Sequence, residues 1–283
     1  MSSKYETFQT AKVSVKVPYA HRLKIKPFGD IHRDSHNCDV KRWKAWLKHA
    51  EETHDEYTYY VGLGDYNDFA SYTERKQLKG LHESTCEKLD KVAAADVAKL
   101  CDELSFMKGH LLGLIHGNHE WEFLDGQLAT EKMCEILDCP FLGYTAYVRI
   151  NCNVMGDSCV TTDLFLCHGK GAGRLLGSTI NSIEKAANIF HDADIYLMVH
   201  DHKRGAMPKT VLYTNQQMEV REKLQWFGRT GSFLRGFVED TPSYVVGAMY
   251  PPTSLGTIGF EIEHQRIREG GRNYFVKNIL HNA

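Results

Sequence analysis

The chain has 283 residues, 42% of them hydrophobic, and a formal net charge of −2, which suits one large domain or two small ones with a sizeable core. The near-neutral balance gives no support to a nucleic-acid or anionic-membrane partner, and no apolar run approaches the ~18 residues needed to span a bilayer. The eight cysteines contain no C-x-x-C pair, which argues against a thiolate zinc site. The N-terminus, MSSKYETFQT, lacks the apolar core of a signal peptide, so the thiols are expected to be free, in a reducing cytoplasm. The fifteen histidines are the more unusual feature.

In chain order, LKIKPF (23–28) reads as a strand. VKRWKAWLKHAEE (40–52) follows, with Val40, Trp43, Trp46, Leu47 and Ala50 at helical spacing and a basic wet face over Lys41–Lys48. YTYYVGL (57–63) is a second strand, residues 86–107 an Ala-rich helix, and HLLGLI (110–115) a third strand. A helix is expected over 121–137, opening at Glu120–Glu122, with Asn118 suited to its N-cap if taken alone. DLFLC (163–167), a helix over 178–190 and DIYLMV (194–199) complete an alternation that predicts an α/β layered domain. Beyond residue 210 short β-like runs dominate: TVLYT, EKLQWFG, SYVVGAMY, TIGFEIEH and NYFVKNIL. The expectation is one domain over 1–283, with an α/β part over 13–210 and a second sheet, built from 211–283, packed on the first.

Each of the five early strands ends in polar residues. Gly29-Asp30-Ile31-His32 follows the first, and Gly64-Asp65-Tyr66-Asn67-Asp68 the second. His116-Gly117-Asn118-His119-Glu120, His168-Gly169 and His200-Asp201-His202 follow the others. In open α/β sheets ligands bind at the strand C-terminal edge, so these ends are expected on one rim. Asp30, His32, Asp65, Asn118, His168, His200 and His202 are oxygen and imidazole ligands without thiolate, a set that suits Mn²⁺, Fe or Zn²⁺ rather than Ca²⁺. Alternate residues of an extended chain point the same way, so Asp30-x-His32 and His200-x-His202 can each grip one ion. Seven ligands exceed one four-coordinate site and suit two ions about 3.5–4 Å apart sharing a carboxylate.

The order D-x-H, G-D, G-N-H-E, H, H-x-H, running from residue 30 to 202, resembles the calcineurin-like metallophosphoesterases. The resemblance implies a two-sheet β-sandwich flanked by helices, with two metals, Mn²⁺ foremost, at one edge. Asp30, His32, Asp65 and His202 then correspond to the ligands of one ion, and Asp65, Asn118, His168 and His200 to those of the other. His119 matches the family's catalytic histidine, and Asp68 the carboxylate that pairs with it. The chain departs from the family in Val199-His200-Asp201-His202, where a glycine usually precedes the first histidine. It departs again at Phe69-Ala70, where the protein phosphatases place a phosphate-gripping arginine. The chain is similar to the short, stand-alone phosphoesterases of bacteriophage genomes.

These readings make the expected reaction hydrolysis of phosphodiesters or small phosphoesters by a metal-bridging hydroxide, with His119 serving the leaving oxygen. Alternatives are a DNA exo- or endonuclease, a phosphomonoesterase or protein phosphatase, and a catalytically silent binding scaffold. Arg75, Arg229 and Arg235, with Ser232, are candidates to reach substrate phosphate. Lys203, Arg204 and Lys209 form a candidate basic cluster beside the last ligand. Asp34 and His36 read as a polar loop over the site. The sequence points to no membrane partner and leaves the oligomeric state open.

Overall fold

The computed structural model describes residues 7–69, 83–170, 173, 175–215, 217–269 and 272–282. Its strands are β1 (Phe8–Lys16), β2 (Arg22–Phe28), β3 (Thr58–Gly62), β4 (Leu111–Leu114), β5 (Thr145–Met155), β6 (Ser158–Cys167), β7 (Ile195–Met198), β8 (Arg204–Thr214), β9 (Val220–Thr230), β10 (Gly259–Glu269) and β11 (Arg272–Asn282). Its helices are α1 (Val40–Glu52), α2 (Glu83–Glu103), α3 (Ala129–Leu137), α4 (Leu176–Glu184) and the single turn α5 (Tyr244–Gly247). The strands form a six-stranded sheet in the order β1-β5-β6-β7-β9-β8 and a five-stranded sheet in the order β11-β10-β2-β3-β4.

Strand periodicity separates three apolar layers. Leu164 and Leu166 of β6 and Ile195 and Leu197 of β7 share one buried cluster with Ile25, Val61 and Leu112 of the other sheet. That cluster is the sandwich core. The alternating residues Phe165 and Tyr196 turn outward, to Ile183 of α4 and to Ala186. On the far side, Tyr60, Leu111 and Leu114 pack with Trp43 of α1, Val97 and Leu100 of α2 and Met133 of α3. The wet face of α1 is as expected, with Lys41, Lys44 and Lys48 exposed and Trp43 buried.

Several sequence expectations are corrected. Residues after 210 do not make a sheet of their own. β8 and β9 join the six-stranded sheet, β9 lying parallel to β7, while β10 pairs antiparallel with β2 and carries β11 with it. Both edges were open to pairing, and backbone groups at an open edge need partners. SYVVGAMY is not a strand: its only regular part is α5, in a connection flanked by Pro242 and Pro251-Pro252, which cannot donate to a ladder. Two strands had no counterpart in the expectation. Both alternate: β1 sets Ala11, Val13 and Val15 between the exposed Lys12, Ser14 and Lys16, and β5 sets its buried Ala146, Val148, Ile150, Cys152 and Val154 between more exposed residues.

The helix expected over 121–137 begins only at Ala129. Before it the chain makes a turn at Asp125-Gly126, closed by Phe123 N–H donating to the Gln127 carbonyl at 2.9 Å. Glu120 does not open a helix. It is buried and accepts from Thr130 N at 2.9 Å and Thr130 Oγ1 at 2.6 Å, satisfying the first turn of α3 from a distance. Asn118 therefore caps no helix. The eight cysteines form no disulfide; Cys159 is exposed.

Glu103 ties the loop after β2 to both flanking helices. Its carboxylate accepts from Arg33 Nη2 at 2.6 Å and Nε at 2.9 Å, and from Trp43 Nε1 at 2.7 Å. Replacing Glu103 by Ala leaves the largely buried Arg33 without its counter-charge. Urea unfolding should then show a loss of about 3 kcal/mol. A change within ~0.5 kcal/mol, the range of ordinary surface substitutions, would show that the tether contributes nothing.

Candidate metal centre

β2, β3 and β4 run parallel in one sheet, as do β6 and β7 in the other. The loops leaving their C-terminal ends meet at one rim. Asp30 and His32 follow β2, Asp65 follows β3, Asn118 and His119 follow β4, His168 follows β6, and His200 and His202 follow β7. Backbone bonds lace these loops together: Asp30 N–H donates to the Gly64 carbonyl at 3.0 Å and Ile31 N–H to that of Asp65 at 2.9 Å. The turns are sharp. Asp30, His32, Asp65, His200 and His202 have φ of 45°, 48°, 50°, 79° and 57°. Left-handed backbone at a non-glycine residue costs on the order of 1–3 kcal/mol, so such residues persist only where their surroundings over-determine them.

The side chains fall into two groups. In one, Asp30, His32 and His202 bring their ligand atoms together, with His202 Nε2 3.8 Å from Asp30 Oδ2. In the other, Asp65, His168 and His200 do so, with His168 Nε2 3.3 Å from Asp65 Oδ2. Asn118 Oδ1 joins the second group at 2.9 Å from His168 Nε2 and 2.8 Å from His200 Nδ1. Asp65 also faces the first group, its Oδ2 4.0 Å from His32 Nε2. All seven residues are brought together.

The donor set fits divalent cations. Asp30 Oδ1 and His32 Nε2 are buried and have no hydrogen-bond partner. His168 Nδ1 lies 2.8 Å from the Leu63 carbonyl, to which it donates, so Nε2 of the neutral ring aims a lone pair at the oxygens of Asn118 and Asp65. Lone pairs facing lone pairs repel unless a proton or a cation lies between them. The pKa directions express that conflict. Burial drives the Asp30 carboxyl up to about 7, against the charge of His168. Burial opposes protonation of His168, but the adjacent Asp65 and Asp30 charges outweigh it and raise the ring to about 9. Burial and the neighbouring His168 push His200 down to about 4. Asp65 is buried too, yet the surrounding imidazoles hold it well below the usual carboxylate range.

His119 stands beside this cluster. Its backbone N–H donates to Asp65 Oδ1 at 2.9 Å, and its Nδ1 lies 2.9 Å from the Phe69 carbonyl. Asp68 is shared: its Oδ1 is 2.8 Å from His32 Nδ1 and 3.3 Å from His119 Nδ1. The tighter contact is thus to a candidate ligand, and Asp68 serves two histidines rather than one. The Asp34 side chain accepts from Asp68 N–H, which fixes that loop, and both Asp34 and His36 are exposed.

The arginine expectations fare differently. Arg229 does not face substrate. It is fully buried, donating to the carbonyls of Val199 and Thr179 and to Ser182 Oγ, with Asp201 3.5 Å away. It therefore braces the segment that carries His200 and His202. Ser232 is also buried and donates to the Asp30 carbonyl at 2.8 Å, so it too braces rather than contacts substrate. Arg235 is exposed and does not line the cavity beside the cluster. Arg75 and Ala70 lie outside the described residues. Lys209 pairs with Glu184 at 2.7 Å, and Lys203 donates to the carbonyls of Gly173 and Leu175. The bracing roles of Arg229, Ser232 and Asp201 were not legible; the only local signal was an acidic residue between two histidines.

A sequence profile of the family described as calcineurin-like phosphoesterase matches residues 23–243. No curated protein matches the chain. Among solved structures, Vps29 of Chaetomium thermophilum is 11% identical, covering 92% of this chain and 96% of its own, with a TM-score of 0.34. Vps29 of Entamoeba histolytica, complexed with Zn²⁺, is 9% identical over 90% of this chain and 98% of its own, with a TM-score of 0.40. A predicted phosphoesterase of Streptococcus pneumoniae TIGR4 is 11% identical over 91% of this chain and 98% of its own, with a TM-score of 0.33. Likeness at these levels bears on neither activity nor partner.

Two glycines let the loops approach. Gly64 has φ +93°, and a Cβ there would sit 2.6 Å from Gly117 N. A Cβ on Gly117 would fall 2.0 Å from Asp65 Oδ1 and 2.7 Å from His168 Cε1. Gly117→Ala must therefore displace Asp65. Titration calorimetry with Mn²⁺ should show affinity reduced roughly 10–100-fold, with circular dichroism unchanged. Wild-type affinity in this variant would mean that Asp65 is not a ligand.

Proposed function

The chain belongs to the calcineurin-like phosphoesterase family, and from that premise we propose that it is a two-metal phosphoesterase hydrolysing phosphodiesters or small phosphoesters. The observation that carries this reading is the division of the buried donors into two groups with Asp65 facing both. Asp30, His32, Asp65 and His202 would hold one ion; Asp65, Asn118, His168 and His200 would hold the other. The donor chemistry suits Mn²⁺, with Fe and Zn²⁺ compatible. When bound, the two cations lower the pKa of water and offset charge on the phosphoryl oxygens.

The protein's own groups supply the rest. The Leu63 carbonyl fixes the His168 tautomer, and Asp68 does the same for His32 from Nδ1, so both rings turn Nε2 inward. His119 lines the cavity beside the donors and directs Nδ1 to the Phe69 carbonyl, with Asp68 close by. Those two oxygens hold the ring at Nδ1, which leaves Nε2 as the atom to serve a departing oxygen.

Two features support a small diester over other substrates. Among the described residues that line the cavity there is no arginine to clamp a monoester dianion, which carries more charge than a diester. Of the candidate basic cluster, Lys209 is engaged by Glu184 and Lys203 by backbone carbonyls, which leaves only the exposed Arg204 toward a track for a nucleic-acid strand. The eight unpaired cysteines support a reducing, cytoplasmic setting.

The test is hydrolysis with added Mn²⁺, comparing kcat/KM for bis-p-nitrophenyl phosphate and p-nitrophenyl phosphate. The diester should be preferred; a strong monoester preference with turnover of a phosphoserine peptide overturns the substrate assignment. Metal analysis should find about two ions per chain. Asp65→Asn should lower both metal content and activity, and retention of both would rule out a shared site.

His119→Asn should keep its metals and lose roughly 100-fold or more in kcat on a diester with a poor leaving group. The loss should shrink for p-nitrophenolate esters, which need less protonation. Equal losses on both would assign His119 to phosphate positioning instead.

A further inference from the structure

The cavity beside the donor cluster, about 440 Å³, has a second wall that takes no part in the chemistry described above. Leu234, Val245, Ala248, Tyr250, Pro251 and Pro252 form it, all from the β9–β10 connection. They face Asp65, Asn118, His119, His200 and His202 across the same space. Lys203 is the only lysine or arginine among the described lining residues, and it is bonded to the carbonyls of Gly173 and Leu175. One side of the cavity is thus polar and metal-seeking, and the other is apolar, with an aromatic ring and two prolines.

This wall is fixed to the donor loops. Phe233 N–H donates to the Asp30 carbonyl at 3.0 Å, Arg235 N–H to that of Asn37 at 2.9 Å, and Asp39 N–H to that of Phe233 at 2.8 Å. Its far end is held by Arg42 Nη1 on the Leu255 carbonyl at 3.2 Å and by Thr257 Oγ1 on that of Pro27 at 2.5 Å. Within the connection, Tyr250 N–H donates to the Val245 carbonyl at 3.0 Å, and a Cβ on Gly236 would come within 2.6 Å of the Val245 side chain. A wall anchored at both ends to the strand-end loops keeps a set distance from the donors. Pre-formed pockets of this size, apolar with a few convergent polar groups, are the usual form of small-molecule sites.

We propose that the β9–β10 connection is a subsite for an aromatic ester group of the substrate, with Tyr250 and Ala248 at its centre. It rests on the phosphoester reading for the anionic end of the ligand: phosphoryl oxygens toward the donor cluster, ring against the wall. The charge distribution matches a monoanionic diester bearing one flat, uncharged ring. A ligand charged at both ends would set a charge against Val245, Pro251 and Pro252, where nothing offsets the loss of its hydration.

The test separates binding from hydrolysis by using phosphinates, which have no ester to cleave. Methylphenylphosphinate and dimethylphosphinate are both monoanions and differ only in the ring. Calorimetry on the Mn²⁺-loaded protein should show the phenyl compound binding roughly tenfold tighter or more. In Tyr250→Ala the preference should fall to about twofold or less, with Mn²⁺ affinity unchanged. Ala248→Asp, which places a carboxylate in the wall, should abolish it without removing core volume. Equal binding of the two phosphinates by the unaltered protein, or a preference that survives both substitutions, overturns the subsite. If the preference holds but no phosphoester is hydrolysed, the proposed activity is wrong and the subsite stands.

Discussion

Seven groups that offer lone pairs converge at one largely buried rim, and little else in the molecule makes sense without that convergence. Neighbouring carboxylate, amide and imidazole acceptors lie 2.8 to 4.0 Å apart in pairs where water is largely excluded. Burial raises the Asp30 carboxyl, and the adjacent Asp65 and Asp30 charges raise the His168 ring, so both favour their protonated forms where no cation is bound. Five of these residues also sit in left-handed backbone, among only nine such non-glycine residues in the described chain. Electrostatic repulsion and backbone strain are thus concentrated at one place, and the surrounding sheets must hold it together.

The restraint comes from both sheets. β2, β3 and β4 deliver donors from one and β6 and β7 from the other, and each group draws on both, so the packing of the sandwich itself sets the distances within each group. Parallel strands bring every donor loop to the same end, and the apolar layer between the sheets resists their sliding. Arg229 spans the remaining weak point. It crosses from β9 to the Val199 carbonyl and the Asp201 carboxylate, beside and between the histidines of the last motif. A valine replaces the usual glycine there, and His200 still reaches φ 79°. The C-terminal third of the chain therefore does more than complete the sheets: it braces the last donors and supplies the wall opposite them.

What was legible in the sequence follows from what is local. Each donor lies within a few residues of an apolar strand, so pattern and chemistry are adjacent, and all seven candidates fall in the cluster. The same holds for the five donor-bearing strands and for the buried and wet faces of α1, but not for β1 and β5, which carry no donor. Assignments that depend on distant partners were not legible. Which sheet β8 to β11 join depends on open edges formed elsewhere. Glu120 looked like a helix-starting residue, but its partner is Thr130, across a turn that only Asp125-Gly126 announces. Arg229 was a candidate to reach substrate phosphate from a strand that could equally have been a solvated edge; burial against Val199, Ser182 and Asp201 gives it neither place. Asp68 was expected as the partner of His119, and it also meets His32, whose Nδ1 lies closer to the same oxygen.

Anomalous scattering from crystals grown with Mn²⁺ tests the convergence most directly. Two peaks are predicted, one among Asp30, His32 and His202 and one among Asp65, His168 and His200, with the Asp65 carboxylate between them. A third set of residues offers the contrary outcome, since His32, Asp68 and His119 also bring ligand atoms together. A single peak at that set, or no peak at the rim, would contradict a shared two-ion centre and would return Asp65 and its neighbours to a purely structural role.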